Sequence, residues 1–127
     1  MDKLKGLDLE GKKVLDAGTG ACGMTKYLEN WGADVISVDL KREWQDDCRG
    51  QTVKSQFVTA DLSDLSCFDN DVFDYVVCNF LISALSEKKS LLISSALREF
   101  NRVLKENGML VMNPPYGERM SVDDEAS

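Results

Sequence analysis

The sequence contains no histidine, and its two prolines are adjacent. The absence of histidine from the 127 residues excludes Ser-His-Asp and Cys-His nucleophilic catalysis, a histidine general base and His-rich metal sites together. The prolines are Pro114 and Pro115, so no proline interrupts the pattern of the first 113 residues. Any catalysis by this chain must therefore proceed without a histidine.

The sequence also has little positive charge and no long hydrophobic run. Lys and Arg number 15 against 22 Asp and Glu, which gives a formal net charge of −7. Such a chain lacks the basic surface that attracts nucleic acid or an anionic membrane, and no apolar run approaches a membrane span. Residues 1–11 contain no apolar stretch typical of a signal peptide. We therefore expect a cytoplasmic protein without nucleic-acid or membrane partners.

The cysteines show neither the paired spacing of metal ligands nor a disulfide framework. They are Cys22, Cys48, Cys67 and Cys78. We therefore expect no metal site. The length fits a single domain over residues 1–127, of which about 117–127 are expected to form an acidic, flexible tail.

Strand-like and helix-like segments alternate along the chain. Short β-rich runs predict five strands, at residues 13–17, 35–38, 57–60, 73–78 and 109–113. Helical patterns predict helices at residues 24–31, 41–49 and 86–105. This alternation predicts an α/β fold, a doubly wound parallel sheet with helices on both faces. In such sheets ligands bind outside the carboxyl ends of the strands.

The predicted helix over 86–105 has a regular apolar face. Its members are Ile93, Leu97, Phe100 and Leu104, at positions i, i+4, i+7 and i+11. We expect Asn107-Gly108 to end the helix, since both residues tolerate a left-handed backbone.

A glycine-rich loop joins the first predicted strand to the first helix. It contains Asp16, Gly18 and Gly20, with Cys22 and Gly23 following. Glycines allow a tight turn and let a ligand lie against the main chain at a helix start. The alternative is that they only permit close packing of strand and helix.

Two further acids end the second and third predicted strands. Asp39 lies 19 residues after Gly20, the spacing at which an acid accepts hydrogen bonds from ribose hydroxyls. Asp61 is expected at the same crevice, within reach of an exocyclic amine on a base. The alternatives are an N-cap role for Asp39 and a turn-initiating role for Asp61.

Taken in their order along the chain, these motifs resemble those of class I S-adenosylmethionine-dependent methyltransferases, and most closely those of the small-molecule branch called type 11. The matching segments are residues 14–20 (VLDAGTG), 38–40 (VDL), 60–62 (ADL), 73–80 (FDYVVCNF) and 98–111 (REFNRVLKENGMLV). The resemblance implies a Rossmann-like sheet of about five strands in the order 3-2-1-4-5. It also implies S-adenosylmethionine as the cofactor.

The resemblance assigns nine residues near strand ends to the cofactor: Asp16, Gly18, Gly20, Asp39, Leu40, Asp61, Leu62, Asn79 and Phe80. Asp16 and the backbone at Gly18 and Gly20 would hold the methionine end. Asn79 and Phe80 would lie near the sulfonium, facing the acceptor.

The remaining four residues would hold the adenosine. The resemblance implies that Asp39 takes the ribose hydroxyls and that Leu40 packs on adenine. Asp61 would accept from the adenine amine, with Leu62 beside it. A sulfonium donor is already activated, so positioning can supply most of the catalysis.

Two segments depart from the pattern of the family. Cys22 replaces the third glycine of the loop, and we interpret it as a packing residue. Asn113-Pro-Pro-Tyr116 is similar to a motif of amino-group methyltransferases, but it follows the fifth predicted strand rather than the fourth. We interpret it as a strand ended by prolines.

Two alternatives to a methyltransferase remain at the level of sequence. One is an NAD-binding domain, which shares the glycine pattern and Asp39 but does not explain Asp16 or Asp61. The other is a non-catalytic subunit of a larger assembly, since only 14 residues follow Asn113 and the chain resembles a minimal form without the C-terminal strands. The fifth strand would then form an exposed edge of the sheet, and we expect a second copy or a protein partner to cover it. The methyl acceptor would be a small molecule or a protein group.

Overall fold

The computed structural model describes residues 7–18, 23–40, 45–46, 54–78 and 89–112. Five strands lie in these ranges: β1 (Lys13–Ala17), β2 (Asp34–Asp39), β3 (Gln56–Thr59), β4 (Phe73–Cys78) and β5 (Leu104–Met112). Two helices also lie in these ranges, α1 (Gly23–Asn30) and α2 (Lys89–Val103). Of the predicted helix at 41–49, only residues 45–46 are described, and they are helical.

The strands form one parallel sheet in the order β3-β2-β1-β4-β5. This confirms the predicted order and the α/β class. Because β1 is central, its carboxyl end lies between those of β2 and β4, and the order of strands reverses there.

Successive residues of β1 point to opposite faces of the sheet. Val14 belongs to a hydrophobic cluster with Leu28 of α1, whereas Leu15 belongs to a cluster with Phe100 of α2. The sheet therefore has α1 on one face and α2 on the other, as the mostly apolar strands predict. None of the described helices is long and apolar enough to cross a membrane.

The buried face of α2 differs from the predicted one. Ala96, Phe100 and Val103 are fully buried and Ile93 packs against the same cluster, whereas Leu97 is 39% exposed. The prediction that Leu97 lies on the core face is therefore wrong. The contact stripe is rotated toward Ala96, whose small side chain permits close approach of the helix to the sheet.

Helix α2 also ends two residues earlier than predicted, at Val103. The carbonyls of Arg102 and Val103 accept hydrogen bonds from the amides of Asp71 (3.0 Å) and Val72 (2.8 Å), just before β4. These carbonyls would accept hydrogen bonds within the helix if it continued, but here they accept them from residues distant in the sequence. Asn107 does adopt the expected left-handed conformation (φ 74°), but it lies within the irregular start of β5.

The loop between β3 and β4 is held against α2 by hydrogen bonds to two side chains of the helix, Arg102 and Glu99. Arg102 donates hydrogen bonds to the carbonyls of Leu65 (2.8 Å) and Phe68 (2.9 Å) and to the side-chain oxygen of Asn70 (2.9 Å). Glu99 binds the same guanidinium and accepts from the Leu65 amide at 2.7 Å. The loop that follows β3 is therefore held at its base.

Candidate functional site

The carboxyl ends of β1, β2 and β3 are joined by backbone hydrogen bonds. The amide of Gly18 donates to the carbonyl of Val38 at 2.8 Å, and the amide of Ala60 donates to the carbonyl of Asp39 at 3.0 Å. These bonds bring the segments that carry Asp16, Asp39 and Asp61 to one edge of the sheet. The sequence predicted this convergence from the strand ends alone.

Asp16 is the most deeply buried acid of this edge. Its side chain has no solvent exposure, and its Oδ2 accepts a hydrogen bond from the hydroxyl of Thr25 on α1 at 2.5 Å. Two residues later Gly18 has φ 77°, a conformation that favours glycine. The strand thus turns sharply directly after a buried, hydrogen-bonded carboxylate.

The Thr25 hydroxyl is the first of three hydroxyls that hydrogen-bond in series, and the sequence motifs did not predict them. Thr25 Oγ1 lies 2.7 Å from Ser37 Oγ of β2, and Ser37 Oγ lies 3.2 Å from Ser55 Oγ, just before β3. Thr25 and Ser37 are fully buried. The only sequence signal is a small hydroxyl within an apolar strand or helix, which does not reveal its partners.

Asp39 and Leu40 lie side by side at the end of β2, with opposite environments. The Asp39 side chain is only 7% exposed, whereas Leu40 is 40% exposed. An enclosed carboxylate next to an open apolar surface suits a ribose with an attached base.

Asp61 begins a turn after β3. Its Oδ1 accepts from the amide of Ser63 (2.9 Å) and from the Ser63 hydroxyl (2.7 Å). This is the turn-initiating role that the sequence analysis named as the alternative. Leu62 is buried in the core (1% exposed). Its side chain packs in the hydrophobic cluster and has almost no surface exposed to a ligand.

Cys78 ends β4 beside the cradle. Burial, with a smaller contribution from the charge of Asp16, raises the pKa of its thiol to about 12. The thiol is therefore protonated at physiological pH and is not a nucleophile.

The described strand ends carry acids and no Lys or Arg within residues 16–18, 38–40, 59–62 and 76–78. An acidic edge with glycine and one open leucine fits a ligand with an ammonium, ribose hydroxyls and a base. The residues present therefore fit S-adenosylmethionine in charge and polarity.

None of the described candidate site residues lines the two cavities of about 410 and 670 Å³. The first is lined by residues such as Asp34 at the amino end of β2, and the second by residues such as Arg102. No group of three or more potential metal ligands occurs among the residues that the structure describes. Gly20, Cys22, Asn79 and Phe80, like 113–127, lie outside the described residues.

Comparison with known proteins shows the family to which the chain belongs. The family described as "Methyltransferase domain" matches residues 15–112. A malonyl-[acyl-carrier protein] O-methyltransferase of Enterobacter lignolyticus is 28% identical over 98 residues, 77% of this chain and 37% of that protein. This chain thus spans little more than a third of that relative's length.

Solved structures with the same fold include the following two. The PH0226 protein of Pyrococcus horikoshii has a TM-score of 0.75 and 27% identity, covering 87% of this chain and 51% of its own. A TehB-like SAM-dependent methyltransferase from Corynebacterium glutamicum has a TM-score of 0.68 and 29% identity. The second match covers 81% of this chain and 54% of that one.

Proposed function

Because this chain belongs to the methyltransferase domain family, we propose that it is an S-adenosylmethionine-dependent methyltransferase acting on a small-molecule or protein acceptor. The observation that carries the proposal is the shared edge of the sheet, where Asp16, Gly18 and Asp39 lie at strand ends joined by backbone hydrogen bonds. When bound, S-adenosylmethionine would supply an electrophilic methyl group on a sulfonium.

The proposal gives each described residue a binding role. Asp16 attracts the ammonium of the methionine end, and Gly18, with φ 77°, turns the main chain beside it. Asp39 accepts from the ribose hydroxyls, and Leu40 offers its exposed side chain to the base. Asp61, fixed in its turn by Ser63, accepts from the amine of the base.

Three further residues belong to the proposal by resemblance alone. Gly20 would continue the cradle, and Asn79 and Phe80 would follow β4 near the transferred methyl group. Orientation of an activated donor supplies most of the rate in such a site, so the missing histidine does not oppose the reaction. A base is needed only where the acceptor must lose a proton.

The first acceptor to test is a carboxylate carried on a protein thioester. The relative named above is a malonyl-[acyl-carrier protein] O-methyltransferase. A carboxylate is ionised at neutral pH and needs no general base, which agrees with a chain that has no histidine. Malonyl-loaded carrier protein and free malonate would be compared as acceptors of a radiolabelled methyl group.

Cofactor binding can be tested with two variants of one strand. Asp39→Asn removes the charge proposed to bind ribose, whereas the control Asp34→Asn removes an exposed charge at the opposite end of β2. We expect Asp39→Asn to weaken S-adenosylmethionine binding about 10-fold or more, because hydrogen bonds to charged groups are strong, and Asp34→Asn to leave it unchanged.

Isothermal titration of the full chain with S-adenosylmethionine and with NAD provides the measurement. Binding of S-adenosylmethionine that depends on Asp39 supports the proposal. Binding of NAD alone would contradict it and favour a dinucleotide-binding domain. Equal affinities of Asp39→Asn and Asp34→Asn would place the ribose elsewhere.

We further propose that a second copy of the chain pairs with β5. In the described sheet, β5 is hydrogen-bonded to β4 alone and so has an open edge. Natural proteins cover such edges, because unpaired amides and carbonyls template association.

A further inference from the structure

We propose that Thr25, Ser37 and Ser55 form a one-directional hydroxyl relay that positions the Asp16 carboxylate for the cofactor ammonium. The inference rests on the proposed function for its ligand, but the relay itself is a property of the unliganded chain. None of the three hydroxyls was among the expected site residues. All three would act through Asp16 and are therefore positioning residues.

The direction of the relay follows from counting protons. An ionised carboxylate only accepts hydrogen bonds, so Thr25 donates its single hydroxyl proton to Asp16 Oδ2. Thr25 Oγ1 can then only accept from Ser37 Oγ at 2.7 Å. Ser37, having used its proton, accepts from Ser55 Oγ at 3.2 Å. Each donor proton therefore points toward Asp16.

The strength of the links decreases with distance from the carboxylate. The 2.5 Å distance at Asp16 lies in the range of charge-assisted hydrogen bonds, 2.7 Å is typical of two hydroxyls, and 3.2 Å is long. Hydrogen bonds in series polarise one another, most strongly where water is excluded. The effect of removing a hydroxyl should thus fall from Thr25 to Ser37 to Ser55.

The relay also fixes where the carboxylate lies. Asp16 and Ser37 are register partners on adjacent strands, and Thr25 reaches both from α1. The carboxylate is therefore held from a second element at a fully buried position. A carboxylate that is already oriented loses less freedom when it binds an ammonium, which favours affinity.

The first experiment measures S-adenosylmethionine affinity of the full chain by titration calorimetry. We expect Thr25→Val to weaken binding about 10-fold or more and Ser37→Ala about threefold to tenfold, since these changes remove donors from a buried anion. Thr25→Ser, which keeps the hydroxyl, should stay within about threefold of the wild type. Ser94→Ala, an exposed hydroxyl on α2, is the matched control and should have no effect.

The second experiment needs no ligand. A double-mutant cycle of Asp16→Asn and Ser37→Ala, followed by urea unfolding, measures coupling between two side chains that both bind Thr25. We expect a coupling of about threefold or more in the unfolding equilibrium constant, and its loss in a Thr25→Val background. Thr25→Ala is the second background if Thr25→Val does not fold.

The outcomes separate the two proposals. If the wild-type chain binds no S-adenosylmethionine, the proposed function fails and the unfolding cycle alone decides the relay. If the wild-type chain binds S-adenosylmethionine and both Thr25→Val and Ser37→Ala bind it as tightly as the wild type, the relay has no role in binding and the inference is overturned. Coupling that persists without the Thr25 hydroxyl would show direct packing of Asp16 and Ser37, and would overturn it too.

Discussion

At the scale of single residues, two cysteines of the same chain have opposite chemistry because of their surroundings. Cys67 is exposed on the loop after β3, whereas Cys78 is buried at the end of β4. Burial and the nearby Asp16 carboxylate raise the pKa of the Cys78 thiol to about 12. The reactive thiolate is therefore a negligible fraction of Cys78 at neutral pH.

We expect iodoacetamide at about pH 8 to alkylate Cys67 and to leave Cys78 unmodified in the folded chain, because only thiolates react readily. Peptide mapping by mass spectrometry measures both sites in one sample. Unfolding in urea is the control and should make both cysteines reactive. Equal alkylation of Cys67 and Cys78 in the folded chain would contradict the buried position of Cys78.

At the scale of secondary-structure elements, the ion pair between Arg102 and Glu99 lies within α2, and both of its residues form hydrogen bonds to the loop that follows β3. The hydrogen bond from Arg102 is the largest cause of the lowered pKa of Glu99, and the hydrogen bond from the Leu65 amide contributes in the same direction. A carboxyl whose pKa is lower in the folded state stabilises the fold above its unfolded value of 4.5. That contribution is lost as the pH falls.

We expect the free energy of unfolding to fall between about pH 5 and pH 3, with a shallower slope for Glu99→Gln. The glutamine keeps an oxygen for the Leu65 amide but does not titrate. At pH 7 the substitution should cost about 1–2 kcal/mol through the weaker bond to Arg102. Urea unfolding at several pH values measures both effects. Glu106→Gln, at an exposed residue of β5, is the control, and an identical pH slope for the two variants would exclude a role for the ion pair.

The end of α1 depends on one glycine. The amide of Ala33 donates to the carbonyl of Leu28 and the amide of Gly32 to the carbonyl of Glu29, the pattern that ends helices with a left-handed residue. Gly32 has φ 90°, and a Cβ there would lie 2.5 Å from Oε1 of Glu10.

We therefore expect Gly32→Ala to lower the free energy of unfolding by about 1–3 kcal/mol, the usual cost of a left-handed backbone for other residues. Chemical denaturation measures the loss. The double variant Glu10→Ala/Gly32→Ala removes the contact with Glu10 and should recover only that part of the loss. Full recovery would show that backbone strain contributes nothing.

At the scale of the whole molecule, the proposed binding residues lie at the carboxyl ends of the central strands, and the described sheet has an open edge at β5. Pairing of two β5 strands would continue the sheet between two copies. We expect sedimentation velocity to show a concentration-dependent dimer. A strict monomer at all concentrations would contradict the proposed pairing of two copies.

The sequence alone predicted the strand order, through a resemblance over motifs that follow one another along the chain. It also predicted β1 and β4 to the residue, since short apolar runs bounded by glycine or acidic turns have clear ends. Asp16, Gly18 and Asp39 were predicted as site residues from the glycine loop after the first strand, the spacing of Asp39 after Gly20 and the resemblance to the methyltransferase family. Their roles toward a cofactor stay predictions.

Only the tertiary structure decided which face of α2 is buried and where that helix ends, because partners distant in the sequence determine both. Leu97 fits the helical repeat but is turned away from the sheet, and the amides before β4 take the last carbonyls of the helix. The hydroxyls of Thr25 and Ser37 likewise gain a role only when α1 and β2 are packed against Asp16. Local patterns determine which residues form strands and helices, whereas the direction of each side chain depends on packing between elements.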